Sequence, residues 1–309
     1  MNNNRPEILV VGAGGVGAYF GGRLAQAGAL VSVVCRSDYQ AVKAHGFAIS
    51  SIKGDFSFIP KNVFNKVKDY HGVADYVIVA VKALPDVDVV KLIRPAVKTG
   101  TSIVLLQNGI DIEPKLHQAF PHNELISGIA YIGVFREGQG EICHQGSGRI
   151  KLGVFPQGIS NKLKTLGELF KQAEIECELT GDIIKKRWEK LLWNVPFNAI
   201  SVLAGKLDTK QIMADPYLVE LAENVMYDVV NTANACGVSL GIELIKWNID
   251  YTKNFPPYKT SMLLDYEHQR QMEIDVILGN VIRLAKQHKL AVPYVETMFA
   301  LLHAIADKL

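Results

Sequence analysis

The sequence predicts a two-part chain, an α/β half followed by an all-helical half. Three observations carry that prediction. Short apolar runs rich in β-branched residues alternate with helical stretches up to about residue 180. A glycine-rich turn separates the first of those runs from the first helical stretch. From Thr180-Gly181 onward, strand patterning stops and helical periodicity takes over. A length of 309 residues suits two domains of ~100–200 residues each.

Taken in order, Ile8–Val11 reads as a buried strand, Val16–Gln26 as a helix and Val31–Val34 as the next strand. Tyr76–Val81 and Ser102–Leu106 are two further strand-like runs, each ending in polar residues. Strands joined through helices imply βαβ units and a parallel sheet covered on both faces. After Ile126–Ala130 the pattern changes. Glu141–His144 and Arg149–Val154 flank Gly146-Ser147-Gly148, which predicts an antiparallel pair turning there. Asn161–Gln172 and Ile175–Leu179 add a last helix and strand. The second half predicts helices over 182–203, 216–235, 241–253, 261–288 and 293–307. Asp215-Pro216 is a helix start and Gly237 a helix stop. The expected domains are 1–180 and 181–309.

Composition excludes several classes. The chain is 49% hydrophobic and 21% charged, with a net charge of +2 and no long charge block. Neither a nucleic-acid surface nor a membrane-binding stripe is indicated. The four cysteines form no CxxC pair, and the eight histidines include no HExxH, so neither a disulfide scaffold nor a metal site is expected. The N-terminus has no apolar run of signal-peptide length, and no uncharged run approaches the ~18 residues of a membrane span. The cytoplasm is the expected setting. Apolar positions on the C-terminal helices suit either internal packing or a homodimer interface.

The chemistry starts at Gly12-Ala13-Gly14-Gly15-Val16-Gly17, a GxGxxG that leaves a strand and opens a helix. In that context it reads as a dinucleotide loop, and the α/β half as a Rossmann-like dinucleotide-binding domain. Phosphates would meet free N–H groups and the positive end of the helix dipole. The second strand runs into Cys35-Arg36-Ser37, where NAD binders normally carry a carboxylate. An arginine there favours a 2′-phosphate, hence NADPH/NADP+. The alternative is a solvated Arg36 with NAD as ligand, for which Asp38 is the reason. Lys82 and Asn108 each follow a strand at its carboxyl end, where ligands of open α/β sheets bind. Lys82 suits a cofactor ribose or phosphate, and Asn108 the nicotinamide ribose or the substrate. The plainer readings are a surface lysine and an Asn-Gly turn. In the second half, Lys190, Asn194 and Asn198 fall at i, i+4 and i+8 and so line one helix face. That stripe either binds a polar substrate or is simply solvated. Pro196 should bend the helix.

Together these residues resemble the ketopantoate reductase (2-dehydropantoate 2-reductase) family over essentially the whole chain. The signatures are Gly12–Gly17, Lys82-Ala83, Gln107-Asn108-Gly109, Trp188–Asn198, and Ser261–Asp265 with Gln271–Asp275. The resemblance implies a Rossmann-like N-terminal domain, an all-helical C-terminal substrate domain, and NADPH-dependent reduction of 2-dehydropantoate to (R)-pantoate in pantothenate and coenzyme A biosynthesis. It implies Lys190 as the catalytic proton donor and Glu273 as a catalytic glutamate that also reaches the cofactor. Asn108, Lys190, Asn194, Asn198 and Ser261 fall on substrate positions. Arg36, Lys82, Asn108 and Val134 fall on cofactor contacts, beside the loop Gly12–Gly17. Three positions depart from the pattern: Gln271 follows Arg270 where members often carry glycine, Asp208 stands where one relative has asparagine, and Tyr258 where asparagine is sometimes found. The alternatives are a reductase of another 2-oxo acid within the family and a non-catalytic NADP(H)-binding sensor. Retention of Lys190, Asn194, Ser261 and Glu273 argues against the sensor.

Overall fold

A computed structural model describes residues 5–307. The chain divides into two compact units. The first comprises the N-terminal residues to Lys82, then Asp86–Gln107 and Glu113–Ile183. The second takes Ile184 to the C-terminus, together with the short pieces Ala83–Pro85 and Asn108–Ile112. Asn108 therefore belongs to the helical unit, although it lies far from that unit in sequence.

The first unit is built on a ten-stranded sheet. Its strands are β1 (Glu7–Val11), β2 (Leu30–Val34), β3 (Phe47–Ser51), β4 (Phe56–Phe58), β5 (Val63–Phe64), β6 (Tyr76–Val79), β7 (Ser102–Leu105), β8 (Leu125–Gly138), β9 (Glu141–Val154) and β10 (Cys177–Leu179). The run β5-β2-β1-β6-β7-β8 is parallel throughout. Numbered among themselves, these strands have the 3-2-1-4-5-6 order of dinucleotide-binding sheets. β1, β6 and β7 are almost wholly apolar and buried, as strands covered on both faces must be. β8 then pairs antiparallel with β9, β9 carries β3 and β10 in parallel, and β4 closes the edge against β3.

Two expectations need correction here, and three short strands went unread. The antiparallel pair is one long hairpin, Leu125–Gly138 against Glu141–Val154, and it does not turn at Gly146-Ser147-Gly148. Ser147 and Gly148 both have positive φ, 58° and 90°, and the register shifts beside them. The glycines thus absorb a bulge inside a continuous strand. β3, β4 and β5 lie in a stretch to which the sequence reading assigned no element; they are only two to five residues long, too short for periodicity to reveal. The expected helix over 261–288 is interrupted. It ends at Glu267, Gln269 takes φ 53°, and helical structure resumes as a π-helical turn, Asp275–Gly279, running into Asn280–Gln287.

The helical unit surrounds Ile183–Leu203, which continues through Pro196. Its apolar face, including Trp188, Leu191, Leu192, Val195 and Phe197, is buried against the neighbouring helices. Each such side chain contributes ~1.5–3 kcal/mol by leaving water, so this helix is held by its core face. Pro216–Ala235 starts as expected, with the Asp215 carboxylate accepting from the N–H groups of Tyr217 and Leu218. Thr209–Ala214, a short helix absent from the sequence reading, begins with a reciprocal capping box between Asp208 and Gln211. Among the described residues, no helix is long and apolar enough to cross a membrane.

Candidate active site

The glycine loop has the geometry that a pyrophosphate needs. Gly12 sits at φ 93°, and a Cβ there would lie 2.6 Å from the Val81 backbone nitrogen. A Cβ on Gly17 would lie 2.4 Å from the Gly12 carbonyl, so this glycine is what lets the helix Gly15–Gln26 approach β1. At Gly14 a Cβ would meet nothing within 4 Å, which leaves the loop's outer face open to a ligand. The helix has no side-chain cap, so its first N–H groups, which no helix can pair internally, remain available to phosphate. Val134 in β8 lies beside this loop: its carbonyl would be 3.2 Å from a Cβ on Gly15.

Next to the loop, Arg36 is exposed just beyond β2. Asp38, the carboxylate that spoke for NAD, is 2% exposed and already engaged. Its Oδ1 accepts from Arg136 at 2.5 Å and from the Ser37 hydroxyl at 2.8 Å, and its Oδ2 accepts from the Gly140 N–H at 3.4 Å. Lys82 follows β6 at the same carboxyl edge and is partly buried. Gln107 ties the ends of β6 and β7 together, donating from Nε2 to the Val81 carbonyl at 2.9 Å.

In the helical unit, Lys190, Asn108 and Glu273 form one hydrogen-bonded cluster. Lys190 Nζ donates to Asn108 Oδ1 at 2.7 Å, and Asn108 Nδ2 donates to Glu273 Oε2 at 3.2 Å. The ammonium can only donate and the carboxylate can only accept, so the orientation of the amide between them is dictated by chemistry. The Ala83 N–H holds the other carboxylate oxygen at 2.9 Å. Glu273 is 9% exposed and comes from the non-helical segment just before the π-helical turn, not from a helix as expected. Burial pushes the Lys190 ammonium down to about 8, the Arg187 guanidinium pushes the same way, and the Glu273 carboxylate opposes both. A lysine so placed holds a proton near neutrality and can release it.

The stripe on the Lys190 helix is buried, not solvated. Asn194 is 7% exposed and Asn198 1%, and neither Asn198 Nδ2 nor Oδ1 has a partner. Each orphaned atom costs about 1–3 kcal/mol, which a polar ligand would offset. Ser201 donates to the Asn198 carbonyl at 2.9 Å and shares a 2.7 Å hydrogen bond with Thr260. That contact links the helix to Ser261, exposed in the first turn of Ser261–Glu267. The Asp208 carboxylate is occupied by its capping box.

Arg187 and Arg136 escaped the sequence reading, which gave Ala83 no role beyond its place in a signature. Arg187 lies one turn before Lys190 and is 4% exposed, and a buried arginine looks like any helix arginine in sequence. Its Nη1 donates to the Gly109 carbonyl at 3.1 Å. Gly109 in turn has φ 92°, and a Cβ there would sit 1.7 Å from Val276 Cγ2 and 2.6 Å from the Val276 carbonyl oxygen. Gly109→Ala is therefore expected to destabilise the fold by about 2–5 kcal/mol, combining backbone strain with overpacking. A fall in urea midpoint checks this; an unchanged midpoint would mean that the Asn108 segment is not pinned here.

Comparison with known proteins bears on both halves. Residues 8–157 match the family model "Ketopantoate reductase PanE/ApbA", and residues 182–306 match its C-terminal companion. A 2-dehydropantoate 2-reductase from Nostoc is 32% identical over 301 residues, covering 96% of this chain and 94% of the relative. The crystal structure of 2-dehydropantoate 2-reductase from Methylococcus capsulatus superposes with a TM-score of 0.91 at 42% identity, covering 98% of this chain and 97% of that one. The corresponding Geobacter metallireducens structure gives a TM-score of 0.90 at 33% identity, covering 96% and 99%. With both halves matched and these relatives aligned nearly end to end, the chain belongs to the ketopantoate reductase PanE/ApbA family of NAD(P)H-dependent oxidoreductases.

Proposed function

We propose that this chain reduces 2-dehydropantoate to (R)-pantoate with NADPH, a step towards pantothenate and coenzyme A, with Lys190 as the proton donor. The observation that carries the reading is the Lys190–Asn108–Glu273 cluster, with its lysine brought down to about 8. Residues 1–180 would serve the nucleotide and 181–309 the substrate, with Asn108 serving both. The loop Gly12–Gly17 would hold the pyrophosphate, Arg36 and Lys82 the adenosine-side phosphates and ribose, and Val134 the nicotinamide side. Bound NADPH supplies the hydride.

The protein's own part is to fix the ketone and handle the developing charge. Lys190 would turn its ammonium to the carbonyl oxygen, stabilise the alkoxide as it forms, and deliver the proton. Asn108 keeps the lysine aimed, and Glu273 keeps its charge partly balanced. Asn194, Asn198 and Ser261 would take the carboxylate and terminal hydroxyl of the substrate, with the two unpartnered atoms of Asn198 finding their ligand there.

The test is NADPH oxidation measured with a panel of 2-oxo acids. 2-Dehydropantoate should have the highest kcat/KM; a different branched 2-oxo acid at the top would reassign the substrate, and no turnover with any would overturn the reading. The pH profile gives a second check. The acid form is required, so kcat/KM should be level below about pH 8 and fall about tenfold per unit above it. Arg187→Met removes a charge that pushes the proton off, so the limb should move to higher pH. Glu273→Gln removes one that retains it, so the limb should move lower.

A further inference from the structure

Sequence places Asp38 two residues beyond Arg36, near enough to the end of β2 for a free carboxylate to hold a ribose 2′-hydroxyl and repel a 2′-phosphate. The structure withdraws that carboxylate. Arg136 comes from β8 and Gly140 from the turn that follows, so the tip of the β8–β9 hairpin closes over Asp38. Both Asp38 oxygens are occupied, and the residue is 2% exposed, whereas Arg36 is exposed two residues away. The Arg136 side chain remains 37% exposed. It bonds both Asp38 and the Ser37 hydroxyl through Nη1. A guanidinium carries five N–H groups, so most of this one's donors stay free of those two partners.

We infer that Arg136 sets the nucleotide preference by caging Asp38, so that the end of β2 presents net positive charge to a 2′-phosphate. This rests on the NADPH reading above and extends it to a residue about a hundred positions from the loop. Without Arg136, the Asp38 carboxylate would be released beside Arg36. It would then compete for that arginine, offer acceptors to a 2′-hydroxyl and repel a 2′-phosphate. Arg136 here is a specificity residue acting through Asp38.

The experiment measures dissociation constants of NADPH and NADH by nicotinamide fluorescence on the full chain, with thermal unfolding as a check on folding. Wild type should prefer NADPH; a preference for NADH would defeat the NADPH reading itself, whatever the variants do. Given that preference, Arg136→Met should weaken NADPH by about tenfold or more while NADH stays within about threefold or tightens. The double variant Arg136→Met with Asp38→Asn, which removes the released carboxylate, should recover most of the lost NADPH affinity. Failure to recover would show that Arg136 acts by direct contact or by holding the hairpin, and would overturn the caging. Equal weakening of both nucleotides would overturn it as well. Should Arg136→Met not fold, Asp38→Asn alone decides: NADPH affinity maintained or raised supports the inference, and a loss overturns it.

Discussion

Lys190→Ala should lower kcat for the reduction by about 10²–10⁴-fold, the range that a positioned general acid contributes. The substitution removes the ammonium that donates to Asn108 Oδ1 and that, in the proposed complex, would donate to the ketone oxygen. Substrate KM should rise more modestly, because Asn194, Asn198 and Ser261 remain. NADPH affinity should change by less than about threefold, since the glycine loop and Arg36 belong to the other unit. Stopped-flow reduction and a fluorescence titration separate the two effects. A variant keeping more than about a third of wild-type kcat would reduce Lys190 to an ordinary helix lysine. The coupling with Glu273 is measurable in the same assay. Asn108 bridges the two side chains, so Lys190→Ala combined with Glu273→Gln should lose less than the sum of the single losses.

That cluster marks the limit of what local pattern can show. Strands β1, β2, β6 and β7 were readable because each is a compact apolar run, and the glycine loop because three separate steric demands fall on three glycines. Lys190, Asn194 and Asn198 were readable as one face, since helical spacing is a local property. Whether that face meets water or protein is not local, and the burial of Asn198 with both amide atoms unpartnered emerges only from packing. Glu273 was placed on a long helix because the apolar period runs on past it. The chain instead leaves the helix after Glu267, Gln269 takes a positive φ, and the π-helical turn that follows shifts the phase. Resemblance to a family pointed to Glu273; periodicity alone would have set it on the wrong element. Arg187 donates to Gly109, 78 positions away, and Ala83 to Glu273, 190 positions away, and nothing in their neighbourhood announces that.

The same contrast governs the nucleotide end. Sequence put an arginine and an aspartate within two residues of each other at the end of β2, and the two argue for opposite cofactors. What sequence could not show is Asp38's burial against Arg136, a pairing across 98 positions.

With Asp38 occupied, Arg36 is an exposed charge next to the loop, and its removal should be felt by one cofactor far more than the other. A charge-assisted contact to phosphate is worth ~1.5–3 kcal/mol. Arg36→Ala is therefore expected to raise KM for NADPH by roughly ten- to a hundredfold and to leave KM for NADH within about threefold. Arg36 is exposed, so folding should be unaffected, and the unfolding midpoint provides that control. Salt offers an independent check. A phosphate contact in water-accessible surroundings is screened over about 8–10 Å at ordinary ionic strength. Raising salt should narrow the NADPH-over-NADH preference of the wild type and leave that of Arg36→Ala nearly flat. Equal effects of the substitution on both cofactors would show that Arg36 does not read the 2′-phosphate. The preference would then have to come from Lys82 or from the Arg136 side chain itself.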